Sequence, residues 1–140
     1  MKATVMLCDA AQAVDGKLYI LGGGWTFIGP EPSPFAIAVI IEVPWDQANK
    51  KHTFKLDLVD EDGQPVALEG PAGTTTLSVT GDFEVGRPPG LREGTPLNFS
   101  VAINSGPVPL APGRRYSWML SVDGHSDEDW PLSFDVRPAV

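Results

Sequence analysis

The chain has little of what disulfide scaffolds and zinc centres require. Its 140 residues include one cysteine, Cys8, and two histidines, His52 and His125. A single cysteine excludes an internal disulfide, and one cysteine with two histidines falls short of the four ligands of a structural zinc site. Cys8 lies in the apolar run TVMLC. We expect a buried, inert thiol there, because reactive thiols need electropositive neighbours.

Positive charge is also scarce. Ten Lys and Arg residues stand against 18 Asp and Glu, which gives a formal net charge of −8. The cations are scattered, with adjacent pairs only at Lys50-Lys51 and Arg114-Arg115. Proteins that bind nucleic acid or anionic membranes by charge present clustered cations. We therefore expect neither as a partner, and the acidity indicates a soluble, cytoplasmic surface.

Long hydrophobic runs are absent. The longest, from Phe35 to Ile41, is far shorter than the roughly 20 residues of a membrane-spanning helix. At the N-terminus Asp9 ends the apolar stretch after about six residues, which is too short for the core of a signal peptide. These lengths predict a cytoplasmic protein without a membrane partner.

What the chain does have is a two-residue period. Leu97, Phe99 and Val101 alternate with polar or small residues, and the same alternation runs through residues 54–58, 77–85, 116–122 and 130–136. Such segments are half-buried strands. Asp-Gly pairs at residues 15–16, 62–63 and 123–124 add hairpin signals between or after them.

Together these patterns predict an all-β fold. We expect an antiparallel β-sandwich of immunoglobulin-like type, with about eight strands in one domain over residues 1–140. Tyr116, near the start of a late strand, is a candidate for the corner tyrosine of such domains. The only helical candidate is PWDQANKK, residues 44–51, where Pro44 suits a first helical position. We predict one short helix at most.

One stretch also carries a family resemblance. The segment CDAAQAVDGKLYILGGGW, residues 8–25, is followed by a proline-flanked apolar strand and then by DEDGQPV. The combination resembles an uncharacterised family, a domain of unknown function, of small all-β bacterial proteins found mainly in actinobacteria. The resemblance covers most of the chain. It implies a β-sandwich and supplies no activity, substrate or catalytic residue.

Within that stretch, Gly22-Gly23-Gly24 raises the question of a phosphate loop. A phosphate loop leads into a helix N-terminus, where free amides face the ligand. Here the glycines lead into WTFIGPEPSP, whose three prolines preclude a long helix. We predict a backbone bend, with at least one glycine at positive φ or in close approach to another segment. No cofactor is expected.

No recognisable catalytic set occurs. There is no Gly-x-Ser-x-Gly elbow, and His125, Ser126 and Asp127 are adjacent in sequence, whereas triad members come from separate segments. His52 begins a strand after two lysines, so we expect it to face solvent. We predict that the protein is not an enzyme, and an enzyme with an unrecognised site remains an alternative.

Two acidic loops are the candidates for a metal site. Carboxylates of this kind can converge on calcium at one end of a sandwich domain. The candidate ligands are Asp60, Asp62, Asp123, Asp127 and Asp129. Because their spacing does not match a known calcium loop, we interpret them as solvated hairpin tips and expect no tight metal site. A calcium-dependent binding module is the alternative.

Four tryptophans are candidates for a stacking platform. Trp118 and Trp130 lie on the apolar phase of their strands, which predicts burial in the core. Trp25 follows the glycine bend and is expected to fill the core beside it. Trp45, in the short helix, is the tryptophan we expect to be exposed and a candidate for a partner interface.

Three early segments are apolar on both faces. Ala36, Ala38 and Ile40 lie opposite the larger apolar residues of FAIAVIIEV. A half-solvated sheet is apolar on one face only, so the second face must be covered. Loops of the same chain, such as residues 104–113, or a second copy would cover it. We predict a homodimer through residues 3–8, 18–21 and 36–40, with interface candidates Ala36, Ala38, Ile40, Tyr19 and Met6. The predicted function is a non-catalytic protein-binding or assembly module.

Overall fold

The computed structural model describes residues 1–139, and that part of the chain is all-β without an α-helix. The strands are β1 Lys2–Cys8, β2 Ala10–Val14, β3 Lys17–Leu21, β4 Phe27–Ile28, β5 Phe35–Val43, β6 His52–Val59, β7 Ala67–Gly70, β8 Gly73–Thr76, β9 Ser78–Phe83, β10 Leu97–Ser105, β11 Arg115–Val122 and β12 Leu132–Val136. One 3₁₀ turn, Trp45–Gln47, follows Pro44. Within the described range no helix has the length and apolarity needed to cross a membrane.

The chain forms two compact units. The first contains residues 1–25, 33–52 and 82–107, and the second contains residues 26–32, 53–81 and 108–139. The chain therefore passes several times from one unit to the other. The prediction of a single domain over residues 1–140 stays a prediction, and its last residue lies outside the described range.

The first unit is built on an antiparallel sheet with the order β1-β5-β10. Val39 at its centre pairs with Val5 on one side and with Val101 on the other. Strands β2 and β3 form a separate hairpin, and both turn residues, Asp15 and Gly16, have positive φ, 52° and 73°. Positive φ at both central positions is the type I′ geometry that an Asp-Gly pair favours.

This hairpin covers the second face of the sheet. Ala11 of β2 is buried in one cluster with Cys8, Ala36 and Ala38. Leu18 and Ile20 of β3 pack against the same cluster, together with Met6 and Ala102. The apolar second face noted in the sequence is therefore covered, at Ala36 and Ala38, by a segment of the same chain. The covering segment is the hairpin, whereas the sequence favoured the loop at residues 104–113 as the internal cover.

The second unit is built on a five-stranded sheet with the order β4-β12-β11-β6-β9. β11 pairs antiparallel with β6 and with β12, while β4 runs parallel to β12. Before β11, the Ala111 N–H donates a hydrogen bond of 3.0 Å to the Tyr116 hydroxyl. A hydroxyl bonded to the backbone a few residues upstream is the bond of a corner tyrosine. The immunoglobulin-like sandwich itself stays a prediction.

The alternating segments all form strands, and the short helix is a single 3₁₀ turn, as predicted. The predicted number of about eight strands is wrong, since residues 1–139 contain twelve. The missed strands are β2, β4, β7 and β8. Three of them, β2, β7 and β8, are short and poor in alternating large side chains, as AAQAV in β2 and GTTT in β8 illustrate, and each pairs with an adjacent strand of a hairpin. The fourth, β4, has two residues and pairs in parallel with the distant β12. Side-chain alternation does not predict strands of these kinds.

The triple glycine is a bend, as predicted. Gly22 and Gly24 have positive φ, 61° and 91°, which glycine adopts without a steric cost. The bend is tied to β1 by its backbone, because the Gly24 N–H donates to the Leu7 carbonyl at 2.8 Å and the Asp9 N–H donates to the Leu21 carbonyl at 3.0 Å. These bonds close the hairpin onto the end of β1.

The expectation that His52 faces solvent is wrong. Its side chain is only 3% exposed, and its Nε2 lies 2.8 Å from the Gln47 carbonyl oxygen. The ring packs on Phe83 at a centroid distance of 5.3 Å. The 3₁₀ turn before β6 supplies the carbonyl oxygen that contacts this polar ring inside an aromatic cluster, and no sequence pattern indicated the contact.

Candidate functional site

The outer face of the β2–β3 hairpin carries the two most exposed large apolar side chains in the described part of the first unit. Tyr19 is 56% exposed and Leu21 is 71% exposed. Opposite them in register lie Gln12 and Ala10. We call these four residues the hairpin face. A shallow groove of about 590 Å³ runs along it. Since Leu18 and Ile20 already face the core, the outward Tyr19 and Leu21 make β3 apolar on both sides.

Asn104 of β10 fixes the hairpin in place. Its Nδ2 donates to the Ala11 carbonyl oxygen at 2.8 Å, and the Ala11 N–H donates to its Oδ1 at 3.3 Å. The side-chain amide thus satisfies both backbone groups of a residue that is only 5% exposed. Asn104 also lines the groove on the hairpin face. The side-chain amide of Asn104 therefore attaches the hairpin that forms the groove to strand β10 of the sheet.

Replacing Asn104 with alanine is expected to lower the free energy of unfolding by about 1–3 kcal/mol, because two backbone groups of Ala11 lose their partner. The matched control is Asn98→Ala, on the same strand and likewise exposed; no side-chain bond holds Asn98 in the described residues, and its change should stay within about 0.5 kcal/mol. Urea unfolding measures both, and hydrogen exchange at the Ala11 amide should accelerate only in Asn104→Ala. Equal losses in the two variants would contradict this role.

The other interface candidates from the sequence lie in different surroundings. Ala36 and Ala38 are buried beneath the hairpin and offer no surface to a partner. Met6 and Ile40 are half-buried. Within the predicted range 18–21, Tyr19 and Leu21 are exposed. The accessible part of the predicted interface is therefore on β3, and the groove adds Gln12 and Asn104, which lay outside the predicted ranges.

Two of the four tryptophans are in the core, as predicted. Trp118 is 4% exposed and Trp130 is 8% exposed. The expectation that Trp45 is exposed is wrong: it is half-buried, with the Arg87 guanidinium 4.8 Å from its ring centroid and donating to its carbonyl oxygen at 2.6 Å. Trp25, expected in the core, is also only half-buried and meets Phe35 edge-on. Because a cation already covers one face of Trp45, that ring is a poor stacking platform.

The acidic loops use their carboxylates to shape turns. Asp60 Oδ1 accepts the N–H groups of Asp62 and Gln64, each at 2.9 Å. Asp123 Oδ1 accepts the Thr53 N–H at 2.9 Å, and Asp127 Oδ1 accepts the Asp129 N–H at 3.1 Å. Such side-chain-to-backbone bonds are the usual work of aspartate in turns. Across residues 1–139 no three His, Cys, Asp or Glu side chains converge as metal ligands would. The expectation of no tight calcium site stays a prediction.

Cys8 is buried, as predicted. Its S–H donates to the Ala36 carbonyl oxygen at 3.4 Å. Burial raises the pKa of the thiol, and the neighbouring Asp9 carboxylate raises that pKa further. The thiol is therefore protonated near neutral pH, and a protonated buried thiol is a poor nucleophile and metal ligand.

The fold and the hairpin face define an all-β protein with an exposed apolar strand surface. The chain belongs to DUF6941, a family of unknown function, whose match covers residues 3–135. The resemblance to an uncharacterised family is thereby confirmed, while its actinobacterial distribution stays a prediction. No curated protein and no solved structure is significantly similar to the chain.

Proposed function

We propose that this protein is a non-catalytic assembly module that associates with a second copy through the hairpin face. The observation that carries the proposal is the exposure of Tyr19 and Leu21, 56% and 71%, side by side on one strand. The inner side of this strand already packs on a core. Apolar side chains on its outer side stabilise the protein only if another surface buries them. A contiguous exposed apolar surface of this kind is typical of protein interfaces.

The chemistry of the hairpin face suits a protein partner. Tyrosine is enriched at interface centres, because its ring buries a large area while its hydroxyl finds a polar partner. Gln12, which lies opposite Tyr19, supplies an amide for such a hydrogen bond. Ala10 lies opposite Leu21 and is small enough to let another surface approach. Two-fold homodimers are the commonest assemblies, and in a two-fold contact the same face meets itself.

The proposed compartment is the cytoplasm. The features that support it are the lone, buried Cys8 and the net charge of −8. Proteins of reducing compartments do without structural disulfides, and a net charge far from zero keeps a protein soluble.

Light scattering tests the proposed dimer. At tens of micromolar, the wild type should have twice the mass of the chain. Leu21→Lys should be monomeric, because a buried lysine charge without a partner weakens association by several kcal/mol, or more than about a hundredfold in Kd. The matched control is Leu91→Lys, which changes another exposed leucine, 42% exposed, in the loop before β10. That variant should remain dimeric.

Circular dichroism and thermal unfolding of the variants check that the fold is intact. Because Leu21 is 71% exposed, Leu21→Lys should unfold like the wild type when both are compared as monomers at low concentration. A wild type that is monomeric at tens of micromolar, or a dimer that Leu21→Lys does not weaken, would overturn the proposal.

A further inference from the structure

The second unit carries a groove of its own, about 790 Å³ in volume. Its walls come from β4, the turn at residues 60–61, the start of β11 and the end of β12. Three of the chain's five arginines line it, namely Arg114, Arg115 and Arg137. We call it the arginine groove. In a chain with a net charge of −8, this concentration of arginine has no counterpart elsewhere in the sequence.

One of the three arginines is already committed. Arg115 Nε forms an ion pair with Asp135 Oδ1 at 2.8 Å across the β11–β12 pair. This guanidinium holds the pKa of the Asp135 carboxyl below its usual range through a hydrogen bond. The Arg115 backbone N–H also donates to Glu61 Oε1 at 3.0 Å. Arg115 therefore binds both neighbouring carboxylates, those of Asp135 and Glu61. These two contacts hold one wall of the groove in place.

The other two arginines are anchored by their backbones only. The Arg114 carbonyl oxygen accepts the Val136 N–H at 2.8 Å, and the Arg137 N–H donates to the Ile28 carbonyl oxygen at 2.9 Å. Their side chains are exposed and form no ion pair with any other residue of the range 1–139. Two guanidinium groups on a rigid backbone and without a carboxylate partner are suited to bind a carboxylate with paired hydrogen bonds.

An apolar surface lies in the same groove. Phe27 of β4 is 59% exposed, more than any other aromatic residue in the described chain, and it lines this groove. β4 is a two-residue strand held parallel to β12, with Phe27 opposite Asp135. Pro138 adds a second apolar surface to the lining. A ligand of this groove should therefore carry an apolar group beside its negative charge.

The charge balance narrows the class of ligand. The three arginines face three carboxylates of the same lining, Asp60, Glu61 and Asp135, so the groove as a whole is neutral. A polyanion such as nucleic acid needs an uncompensated basic surface, and the acidic remainder of the protein would repel it. A single carboxylate adds only one negative charge to this neutral groove, and its two oxygens can accept hydrogen bonds from the guanidinium groups of Arg114 and Arg137.

We infer that the arginine groove binds a peptide segment of a partner protein in which an acidic side chain is followed by an apolar one. The carboxylate is held by Arg114 and Arg137, and the apolar side chain packs on Phe27. Short peptides recognised by arginine for charge and by an apolar surface for shape are a recurrent mode of protein recognition. The inference does not depend on the proposed dimer, which uses other residues in the other unit.

The test is an NMR titration of the full-length, ¹⁵N-labelled protein with blocked pentapeptides. Each peptide carries Glu followed by Phe, Leu, Val or Tyr, and each has a partner in which Gln replaces Glu. At least one Glu peptide should give saturable shifts at the amides of residues 27–28, 114–117 and 135–137. Its Gln partner should bind at least tenfold more weakly. A ten-nucleotide single-stranded DNA, the polyanion probe, should cause no saturable shift there.

Variants separate the groove from general charge effects. Arg114→Gln with Arg137→Gln should weaken the Glu peptide at least tenfold, whereas Arg92→Gln, a change in the other unit that removes one exposed arginine, should not. Phe27→Ala should weaken the peptide and its Gln partner alike. The inference is overturned if no Glu peptide saturates at 5 mM, a limit that corresponds to binding of about −3 kcal/mol. It is equally overturned if the Gln peptides or the DNA bind as well as the Glu peptides.

Discussion

Valine in place of Gly23 is expected to lower the free energy of unfolding by about 2–3 kcal/mol, the usual cost of forcing extra carbon atoms into a packed site. A Cβ at this position would lie 2.8 Å from Ile20 Cγ2 and 2.8 Å from Met6 Sδ. Met6 is flexible, but the methyl group of Ile20 is held by the cluster beneath the hairpin. The added side chain must therefore push the hairpin away from β1.

The control for Gly23→Val is Gly29→Val. A Cβ at Gly29 meets no atom within 4 Å, and its φ lies outside the left-handed region. Because Gly29 precedes Pro30, its backbone already prefers the extended conformation that valine favours. Urea unfolding should place Gly29→Val within about 0.5 kcal/mol of the wild type. The wild type should also show no calorimetric binding of ATP or NAD. Similar losses in the two variants, or measurable nucleotide binding, would contradict the interpretation of the glycines as a bend.

Alanine in place of His52 is expected to cost about 2–4 kcal/mol, since it removes a ring that is 3% exposed and leaves a cavity. The ring belongs to an aromatic series, since it packs on Phe83, which stacks on Phe99 at a centroid distance of 4.4 Å. It also contacts the Gln47 carbonyl oxygen. Loss of the ring therefore removes packing and a hydrogen-bonding partner for the 3₁₀ turn. Thermal and urea unfolding measure the total.

Two further variants separate these contributions. His125→Ala changes the only other histidine, which is exposed in the loop after β11, and should stay within about 0.5 kcal/mol of the wild type. His52→Phe keeps an aromatic ring but loses the contact with Gln47, so it should recover part of the loss and leave about 1–2 kcal/mol. If His52→Ala is no more destabilising than His125→Ala, the buried role of His52 is wrong.

The hairpin face illustrates what the sequence determined about the candidate site. Asp15-Gly16 between two apolar segments predicts a tight hairpin turn, and the observed φ values follow from that dipeptide alone. The period of two also fixes that Tyr19 and Leu21 share one side of β3 while Leu18 and Ile20 share the other. The alternation does not predict which of these two sides of β3 is buried. Because both sides are apolar, only the packing of Leu18 and Ile20 on the Ala36–Ala38 cluster decides it.

The sequence by itself determined the elements that depend on neighbours along the chain: the alternating strands, the Asp-Gly turns, the bend at Gly22–Gly24 and the all-β class. Only the tertiary structure decided the contacts between segments that are far apart in the sequence. Asn104 meets Ala11 across 93 residues, and Phe27 joins Arg114 and Arg137 only because β4 lies beside β12. Side-chain periodicity states which way a residue points from its own strand, whereas strand order determines what it then meets. The two grooves are products of strand order, which is why the sequence did not indicate either of them.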